Sequence, residues 1–486
     1  MRVNLLLYGV QAVSSKEDFP VVNETGETGR LMSRVEVRAA VSLSVIYSLR
    51  MLGLFMILPV FALYAEHLEG ATPALTGLAI GAYGITQALL QIPYGLISDR
   101  IGRKPVIVAG LLVFALGSML AAVADSIVMV ILGRALQGAG AIAAAVMALT
   151  ADLTREEHRI KAMAMIGMSI GLSFAVAMIA GPVLDGWIGV PGIFWLTAVL
   201  ALAGIAVVLV MVPRPVVSRV HREAEAVPAQ FGRVLRDKGL LRLDFGILVL
   251  HMILTASFVV MPLVLRDEVG LPGSGHWKVY LPVLILSFLA MIPLIIQAER
   301  HQRIKPVFLF AVVLVGLAEL GLFLLPASLI SILLLLFVFF TGFNLLEATL
   351  PSLIARQAPP DCRGTAMGFY SSAQFLGAFL GGAFGGWIQG AFGLHEVFLF
   401  SAGAALLWWL VAVGMERPRF LSSYLLQIGE LDEDRVHRLA GEFAAVAGVA
   451  DVVLVPEDGM AYLKVDRKKL DEDTLVRLAG KPLRGS

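Results

Sequence analysis

The sequence predicts an all-α membrane protein of twelve transmembrane helices in two six-helix bundles, followed by a small α+β domain of the ferredoxin-like type. Composition, the spacing of apolar segments and an internal repeat predict this architecture. The 486 residues are 58% hydrophobic and 15% charged. Soluble domains average about 45–50% apolar and about 25% charged residues. The composition therefore excludes an ordinary soluble enzyme and a disordered chain.

Charge and cysteine content exclude further classes of protein. The net charge of +1 gives no sign of a nucleic-acid partner, which would require a basic domain. The single cysteine, Cys362, excludes an intrachain disulfide and a cysteine-rich zinc site. We therefore expect no nucleic acid, no metal and no cofactor.

Long apolar runs alternate with short polar breaks, and about 20 apolar residues are enough for a helix to cross a bilayer. We count twelve such runs, six on each side of a longer polar loop. They cover residues 38–65, 72–98, 105–124, 127–150, 161–185, 192–212, 241–265, 277–298, 306–327, 329–356, 365–390 and 396–415.

Lysine and arginine are concentrated in alternate breaks. One set of breaks, together with the central loop, holds 23 of these cations, whereas the other set holds only Arg266, with Lys278 just inside the next run. Cationic loops stay on the cytoplasmic side of a membrane. We therefore expect both termini and the central loop to be cytoplasmic. The predicted segments are a flexible leader (1–37, with Met32 as an alternative start), two bundles (38–212 and 241–416), a linker (213–240) and a tail domain (417–486).

The two halves resemble each other at an offset of about 200 residues. The breaks Ser98–Pro105 and Ala298–Pro306 both read acid, Arg, two residues, Arg, then Lys-Pro, with one residue inserted in the second. The segments Gly181–Ile188 and Gly381–Ile388 are also alike. Parallel repeats of this kind place a substrate site near the membrane midplane and work by rocking of the halves.

The first of these breaks also carries a family resemblance. The segment Gly95–Lys104, GLISDRIGRK, resembles motif A of the major facilitator superfamily, and the resemblance extends from about residue 38 to the tail. It implies that Asp99 lies near the N-terminus of the eleventh span, where the helix dipole favours an anion, and latches the outward-facing state. It also implies that Arg103 pairs with Asp152. The predicted gate residues are Gly95, Asp99, Arg100, Gly102, Arg103, Lys104 and Asp152. The alternative is that the cations only set the topology, which requires neither Asp99 nor a fixed spacing.

Several polar residues fall inside the apolar runs. Such residues usually face a bundle interior or a water-filled cavity. The candidates for a proton or substrate pathway are Arg50, Arg134, Gln137, Asp244, His251, Glu319, Asn344 and Glu347.

Each candidate has a structural alternative. Arg134 matches the family's Arg-x-x-Gln-Gly motif and would either tune the proton affinity of a nearby acid or form a buried structural ion pair. The same two alternatives apply to Arg50. Glu347 is placed to load and release a proton. His251 is either part of that site or a satisfied core histidine, and Asp244 either functions or pairs with Arg242. Glu319 lies on a span that usually faces lipid or packs peripherally.

The fifth span ends with part of an antiporter motif of the superfamily. Gly171, Gly181 and Pro182 are present, which favours export, but Asp185 and Gly186 replace the motif's tandem glycines. The expected physical role is close packing with a kink at Pro182. We interpret the paired glycines of the eleventh span, Gly381, Gly382, Gly385 and Gly386, as a packing surface.

The tail is charged and globular. The pattern predicts strands at 424–430, 449–455 and 460–465, helices at 432–447 and 470–479, an N-cap at Asp432 and a turn at 456–459. The order βαββα suggests a ferredoxin-like fold that lacks its last strand and leaves an open edge. Without a Cys-x-x-Cys loop, copper or zinc carriage is not expected. A regulatory role and simple packing on the cytoplasmic face both remain open.

Together these observations predict a monomeric, multi-pass carrier of the bacterial inner membrane that is not an enzyme. Its partners would be the lipid bilayer, protons and a small-molecule substrate. The main hypothesis is proton-driven export by alternating access. The alternatives are a proton-coupled nutrient importer and a membrane sensor whose tail domain binds a ligand.

Overall fold

The computed structural model describes residues 32–213, 227–301, 303–359, 362–415, 422–428, 433–455, 460–465 and 469–478. It contains two compact units, a large helical unit that ends near residue 418 and a small unit formed by the tail.

The first half of the helical unit contains six membrane-crossing segments built from seven helices. Crossing 4 is broken into α5 and α6 by the non-helical residues 140–142, and crossings 5 and 6 form one long helix, α7, that bends at Gly189 with a φ of +67°. The helices are α1 (Arg34–Phe55), α2 (Phe61–Ala65), α3 (Pro73–Ile101), α4 (Arg103–Ala122), α5 (Ile127–Ala139), α6 (Ala143–Leu153) and α7 (Glu156–Val210).

Three details differ from the sequence prediction. The first crossing begins at Arg34, inside the predicted leader, and ends at Phe55 rather than at 65, because a turn separates it from α2. The non-helical backbone inside α7 lies at Gly189 and not at Pro182, where we expected a kink. A positive φ is easily adopted only by glycine, which explains the bend at that residue.

The second half repeats the six crossings. A 3₁₀ turn at Pro228–Gln230 and the short helix α8 (Phe231–Val234) precede it. Its helices are α9 (Lys238–Asp267), α10 (Trp277–Arg300), α11 (Ile304–Leu324), α12 (Leu329–Gln357), α13 (Arg363–Ala391) and α14 (His395–Val413). Among the described residues, ten helical segments are long and apolar enough to cross a membrane. With the bend of α7 counted twice and α13 added, these make the twelve crossings that the sequence predicts.

In both halves, a lysine and an arginine bind the last carbonyl groups of the sixth crossing. Lys104 donates to the carbonyl of Val212 at 2.5 Å, and Lys305 donates to that of Met415 at 2.5 Å. Arginines from the first crossing of each half add to this. Arg38 donates to Met211 O at 2.8 Å and Arg242 to Gly414 O at 2.6 Å. Cations satisfy the free carbonyls and complement the dipole at a helix C-terminus. All four contacts lie at the end of the unit that carries motif A.

The two halves meet chiefly through α3 and α13, with further contacts between α7 and α10. A Cβ added to Gly77 would lie 2.1 Å from the carbonyl oxygen of Gly382, and one added to Gly386 would lie 2.3 Å from that of Pro73. The backbones touch directly, as in helix pairs lined by small residues. Another face of α13 packs against α9, where Gly381 approaches the carbonyl of Met252. The glycines of the eleventh crossing therefore pack on both halves.

The outer surface of the helical unit is apolar. Large side chains such as Trp187, Ile330 and Leu172 are 79%, 71% and 67% exposed. Exposed side chains of this size and number, on helices long enough to cross a bilayer, are suited to contact with lipid tails.

The tail unit contains β1 (Ser422–Gln427), α15 (Glu433–Ala445), β2 (Val449–Val455), β3 (Met460–Val465) and α16 (Glu472–Leu478). The strands form an antiparallel sheet in the order β1–β3–β2. Phe443, Leu463 and Leu475 are fully buried between the sheet and the helices. The predicted βαββα order is observed, with β1 starting at Ser422 rather than 424; its ferredoxin-like classification stays a prediction. Asp432 and the turn 456–459 lie outside the described residues.

Asp471 precedes α16 and caps its first turn. Its carboxylate accepts hydrogen bonds from the Thr474 hydroxyl at 2.7 Å and the Thr474 backbone N–H at 3.1 Å. These bonds hold the pKa of Asp471 below its ordinary value. The cap is therefore complete at neutral pH and is lost as the pH falls through the lowered pKa of that carboxyl group.

Candidate functional site

Motif A forms an ion cluster where α3 turns into α4. The Arg103 side chain is 1% exposed; it donates to the Ser98 hydroxyl at 2.8 Å and to the Asp99 carboxylate, and its Nε lies 3.4 Å from Asp152 Oδ2. The turn depends on Gly102, whose φ of +97° disfavours any side chain. Local chain geometry thus brings Asp99 and Arg103 to Asp152, at the end of α6.

The remaining motif A residues have different surroundings. Arg100 is exposed, whereas Lys104 reaches the C-terminus of α7, as described above. A Cβ at Gly95 would lie 3.2 Å from that of Ala144, so this glycine permits a close approach of α3 to α6. The motif therefore joins α3 to three other elements of its own half.

The first turn of α13 is occupied by the linker and not by Asp99. The Thr365 hydroxyl donates to Gln230 Oε1 at 2.8 Å and accepts from the backbone N–H of Val227 at 2.9 Å. The rings of Phe231 and Phe369 lie 5.2 Å apart. Within the described ranges, Asp99 makes no hydrogen bond to α13. The latch that the family resemblance implies is not formed in this conformation and stays a prediction for another one.

The interior of the first half contains two buried arginines. Arg50 is 0% exposed and donates to Gln87 Oε1 at 2.7 Å and to the carbonyl of Gly140 at 3.1 Å, where the chain breaks between α5 and α6. Arg134 is 4% exposed and donates to Gln137 Oε1 at 2.8 Å. Both guanidinium carbons lie within 6 Å of the centre of the Tyr83 ring.

In the described part of the chain, neither arginine has an acidic partner. Among the residues that the structure describes, no carboxylate lies within 4 Å of either guanidinium group. The nearby polar groups are neutral, and Gln137 in turn donates to the Ser118 hydroxyl at 2.7 Å. The structure therefore does not bring Arg134 to an acid whose proton affinity it could tune, and it does not show the buried ion pair that was the alternative.

The interior of the second half has the opposite composition. His251 Nε2 lies 3.3 Å from Glu347 Oε1 and 2.8 Å from the Gln374 side-chain nitrogen, while His251 Nδ1 lies 3.3 Å from the carbonyl of Ile247. These contacts join α9, α12 and α13. Tyr370 on α13 is buried, and its hydroxyl has no hydrogen-bond partner in the described part of the chain.

Two further acids lie in this half. Asp244 is 9% exposed and its Oδ1 has no described partner; Arg242 binds Gly414 instead, so the expected pairing of Asp244 with Arg242 is wrong. Glu319 is 0% exposed and accepts one hydrogen bond, from the Ser257 hydroxyl at 2.7 Å. Glu319 therefore packs inside the second half. Asn344 donates to the Ser287 hydroxyl at 3.1 Å and joins α12 to α10.

The residues of the antiporter-type motif lie apart from these charges. A Cβ at Gly181 would lie 2.4 Å from the carbonyl of Met56, so α7 packs closely against the turn that follows α1. Pro182 lies within α7, and Gly171 has open space beside it. The motif therefore contributes close packing at Gly181 rather than a polar site.

At the end of the unit opposite to motif A, an ion pair links the two halves. Arg266, at the end of α9, forms a two-point contact with Glu66, at 2.5 and 3.0 Å. Arg266 also binds Asp267 at 2.5 Å. Nearby, His395 Nε2 lies 2.9 Å from Glu268 Oε1. Together with the glycine contacts of α3 and α13, the Arg266–Glu66 pair holds the halves together at this end.

Comparison with known proteins agrees with this architecture. The family described as the Major Facilitator Superfamily matches residues 43–381 and 283–430. This chain belongs to the major facilitator superfamily. A protein of Escherichia coli (strain K12) named inner membrane transport protein YajR is 47% identical over 437 residues, which cover 90% of this chain and 96% of that protein. As a superfamily member, the chain is a multi-pass membrane transporter and not an enzyme.

More distant matches agree in fold. A multidrug resistance protein MdtH of Yersinia enterocolitica is 28% identical, over 69% of this chain and 83% of its own. A solved bacterial homologue of the human lysosomal transporter Spinster, described as inward-facing and occupied, matches with a TM-score of 0.64 and 14% identity. That match covers 78% of this chain and 97% of the other. The solved structure therefore shares its fold with this chain.

Sequence reasoning found the buried charges of this transporter but missed their neutral partners. Tyr83, Gln87 and Gln374 contact Arg50 or His251, and none of the three was a candidate. A signal for one of them was present, because Tyr83, Gln87 and Gln91 are spaced four residues apart in the second apolar run and so share one helix face. Glu66 and Arg266 were missed because the pair forms only when the two halves meet.

Proposed function

We propose that this superfamily member is a proton-coupled exporter of a small molecule across the bacterial inner membrane, working by alternating access. The His251–Glu347 pair carries the proposal. If the Nδ1 proton of His251 points to the Ile247 carbonyl, Nε2 presents a lone pair. That lone pair accepts from the Gln374 amide nitrogen at 2.8 Å, and Glu347 Oε1, 3.3 Å from Nε2, has no hydrogen-bond partner among the described residues. The Glu347 carboxyl group, next to the imidazole and without a fixed donor, is thus the site for one transferable proton.

The surroundings of the pair suit proton exchange. The Glu347 side chain is 31% exposed, whereas that of His251 is 13% exposed, so the carboxyl group is the more accessible partner. No lysine or arginine lies within 4 Å of this carboxyl group in the described ranges. Without a fixed cation, gain or loss of the proton changes the net charge of the second half's interior. Such a change couples to transport when the two access states differ in their affinity for the proton.

Export is supported by two observations. Gly181 packs α7 against the turn after α1, at the position of the superfamily's antiporter motif. In addition, relatives named multidrug resistance proteins match about two thirds of this chain. Neither observation identifies a substrate.

We infer that motif A faces the cytoplasm and that both termini lie on that side. The cation-rich breaks converge on the motif A end, where lysine and arginine also cap the sixth crossing of each half. The positive-inside rule assigns such an end to the cytoplasm. The contacts at the Arg266 end then make this conformation one that is closed on the periplasmic side.

Proton flux in everted membrane vesicles tests the proposal. Vesicles with native protein, acidified inside by respiration, are screened with drugs, sugars and organic acids while a fluorescent dye reports the pH gradient. We expect at least one compound to dissipate the gradient, because an exporter moves substrate into everted vesicles and protons out. Glu347→Gln should abolish this response, because an amide cannot carry the proton.

Asp125→Asn is the matched control, because it removes an exposed carboxylate between α4 and α5 and should leave the response intact. A normal response in Glu347→Gln would exclude this pair as the coupling site. Accumulation of a substrate inside whole cells at low external pH, with no response in everted vesicles, would overturn export in favour of import.

A further inference from the structure

The two buried arginines of the first half have a combined charge that no described residue neutralises. The guanidinium carbons of Arg50 and Arg134 lie 5.7 and 5.5 Å from the centre of the Tyr83 ring. The two guanidinium groups are therefore within about 12 Å of each other, and both remain charged at any physiological pH. A pair of unneutralised cations in a membrane interior is costly and is usually retained for a function.

The hydrogen bonds of these groups are incomplete as well. Arg50 uses only Nη2, while its Nε and Nη1 have no acceptor among the described residues; the same holds for Nε of Arg134. A guanidinium group has five N–H donors in a fixed fork. The existing acceptors are neutral amides and carbonyls, so they orient the guanidinium groups without cancelling their charge.

The surroundings of the arginines indicate the kind of anion that fits. The Phe114 ring lies 5.5 Å from the Arg50 guanidinium carbon, and the ring of Tyr83 contacts Phe375 of the second half at 5.9 Å. Two cationic forks next to aromatic rings match a planar carboxylate attached to an apolar body. The Tyr83–Phe375 contact also places this group of residues where the two halves meet.

We propose that Arg50 and Arg134 form a binding site for a small organic anion, and that the transported molecule carries a carboxylate or an equivalent negative charge. Both side chains are at most 4% exposed, so the site is closed in this conformation. Separation of Tyr83 from Phe375 during rocking of the halves opens it. This inference deepens the proposed function, since it names the substrate class of the exporter.

Equilibrium binding to the purified full-length protein tests the site. Benzoate and its neutral amide, benzamide, are added at constant ionic strength in sulfate, and the melting midpoint is followed. Benzoate should raise the midpoint and benzamide should not, because only benzoate brings the charge that the arginines lack. Arg50→Gln and Arg134→Gln should each weaken the benzoate effect at least tenfold in concentration.

The control variant is Arg242→Gln, which removes a surface arginine and should leave the benzoate response unchanged. If either glutamine variant does not fold, Arg50→Lys and Arg134→Lys replace it; they keep the charge, lose the fork and should also bind more weakly. Equal effects of benzoate and benzamide, or a benzoate effect that survives in both arginine variants, would overturn the proposal.

Chloride is measured separately to identify the source of the anion. If chloride gives the full stabilisation and benzoate adds nothing, the site holds an inorganic counter-ion and the organic substrate class is wrong. Because binding needs no proton gradient, loss of proton coupling with benzoate binding intact would refute the proposed function alone. Intact proton coupling without benzoate binding would refute the anion site alone.

Discussion

The two halves of the membrane unit share a fold but have different ionisable groups in their interiors. The first half buries Arg50 and Arg134 without an acid, whereas the second buries Asp244 and Glu319 and contains the half-buried Glu347, with no lysine or arginine within 4 Å of these acids among the described residues. At the motif A end the halves are alike, since each uses a lysine and an arginine to cap its sixth crossing. The two repeats therefore share their cationic helix caps but differ in the charged residues of their interiors.

The residues that cap helices and set topology therefore differ from the residues that bind ligand or proton. Capping and topology are needed equally in both halves, so the same residue types recur at the same places. A proton site and an anion site need different groups: an arginine cannot release a proton at physiological pH, and a carboxylate repels an anion. Placing them in different halves lets one interdomain movement affect both, because the Tyr83–Phe375 contact lies between them.

We expect the largest effect from a substitution where the two halves touch, because movement of one half against the other depends on this contact. In Gly382→Val, the Cβ would lie 2.4 Å from the Gly77 carbonyl oxygen and 2.8 Å from the Gly81 nitrogen. Backbone atoms cannot yield as a side chain can, so α3 and α13 must separate. We expect the present closed contact to be lost entirely.

Spin labels at Glu69→Cys and Lys278→Cys, in a Cys362→Ser background, measure this separation, since the two positions are exposed and lie on opposite halves. The distance between them should increase in Gly382→Val. Gly403→Val is the control, because no atom lies within 4 Å of its added Cβ. An unchanged distance in Gly382→Val would mean that the glycine contact does not hold the halves together.

A smaller effect is expected at Glu319 and tests whether the acids of the second half are charged. A fully buried carboxylate without a cation is strongly disfavoured, so we expect the carboxyl group to be neutral in this conformation. Glu319→Gln keeps the acceptor for Ser257 and should leave the melting midpoint nearly unchanged. Glu319→Ala leaves a cavity and an unpaired hydroxyl, which costs about 1–3 kcal/mol. Equal losses in the two variants would indicate that Glu319 is charged, so that the interior of the second half would be anionic rather than neutral.

Much of the fold could be predicted because the bilayer restricts the backbone structures that can cross it. A chain that crosses a hydrocarbon layer must satisfy its backbone within helices, so apolar length and cation placement suffice to count the crossings. The places where the prediction failed are local. The break of the fourth crossing at residues 140–142 and the bend at Gly189 depend on backbone geometry that hydropathy does not report.

The site could be predicted only in part, for an electrostatic reason. Arg50, Arg134 and Glu347 stand out because a charge in an apolar run is costly. Gln374 and Tyr83 are neutral and do not stand out, although they orient His251 and stack on the arginines. The sequence could not decide whether Arg134 would meet an acid, because its neighbours from another helix, Ile80 and Tyr83 of α3, are set by packing.

The smallest effect is expected where the two halves agree, at the caps of the sixth crossings. Arg38→Ala and Arg242→Ala each remove a cation from a helix C-terminus, which contributes about 0.3–1 kcal/mol. Both variants should therefore lower the melting midpoint slightly and by similar amounts. Lys161→Ala, which removes an exposed cation with no described hydrogen bond, should have no effect. If only one of the two variants lowered the melting midpoint, the two halves would differ in their helix caps as well as in their interiors. The difference between the interiors would then no longer single them out as the functional part of each half.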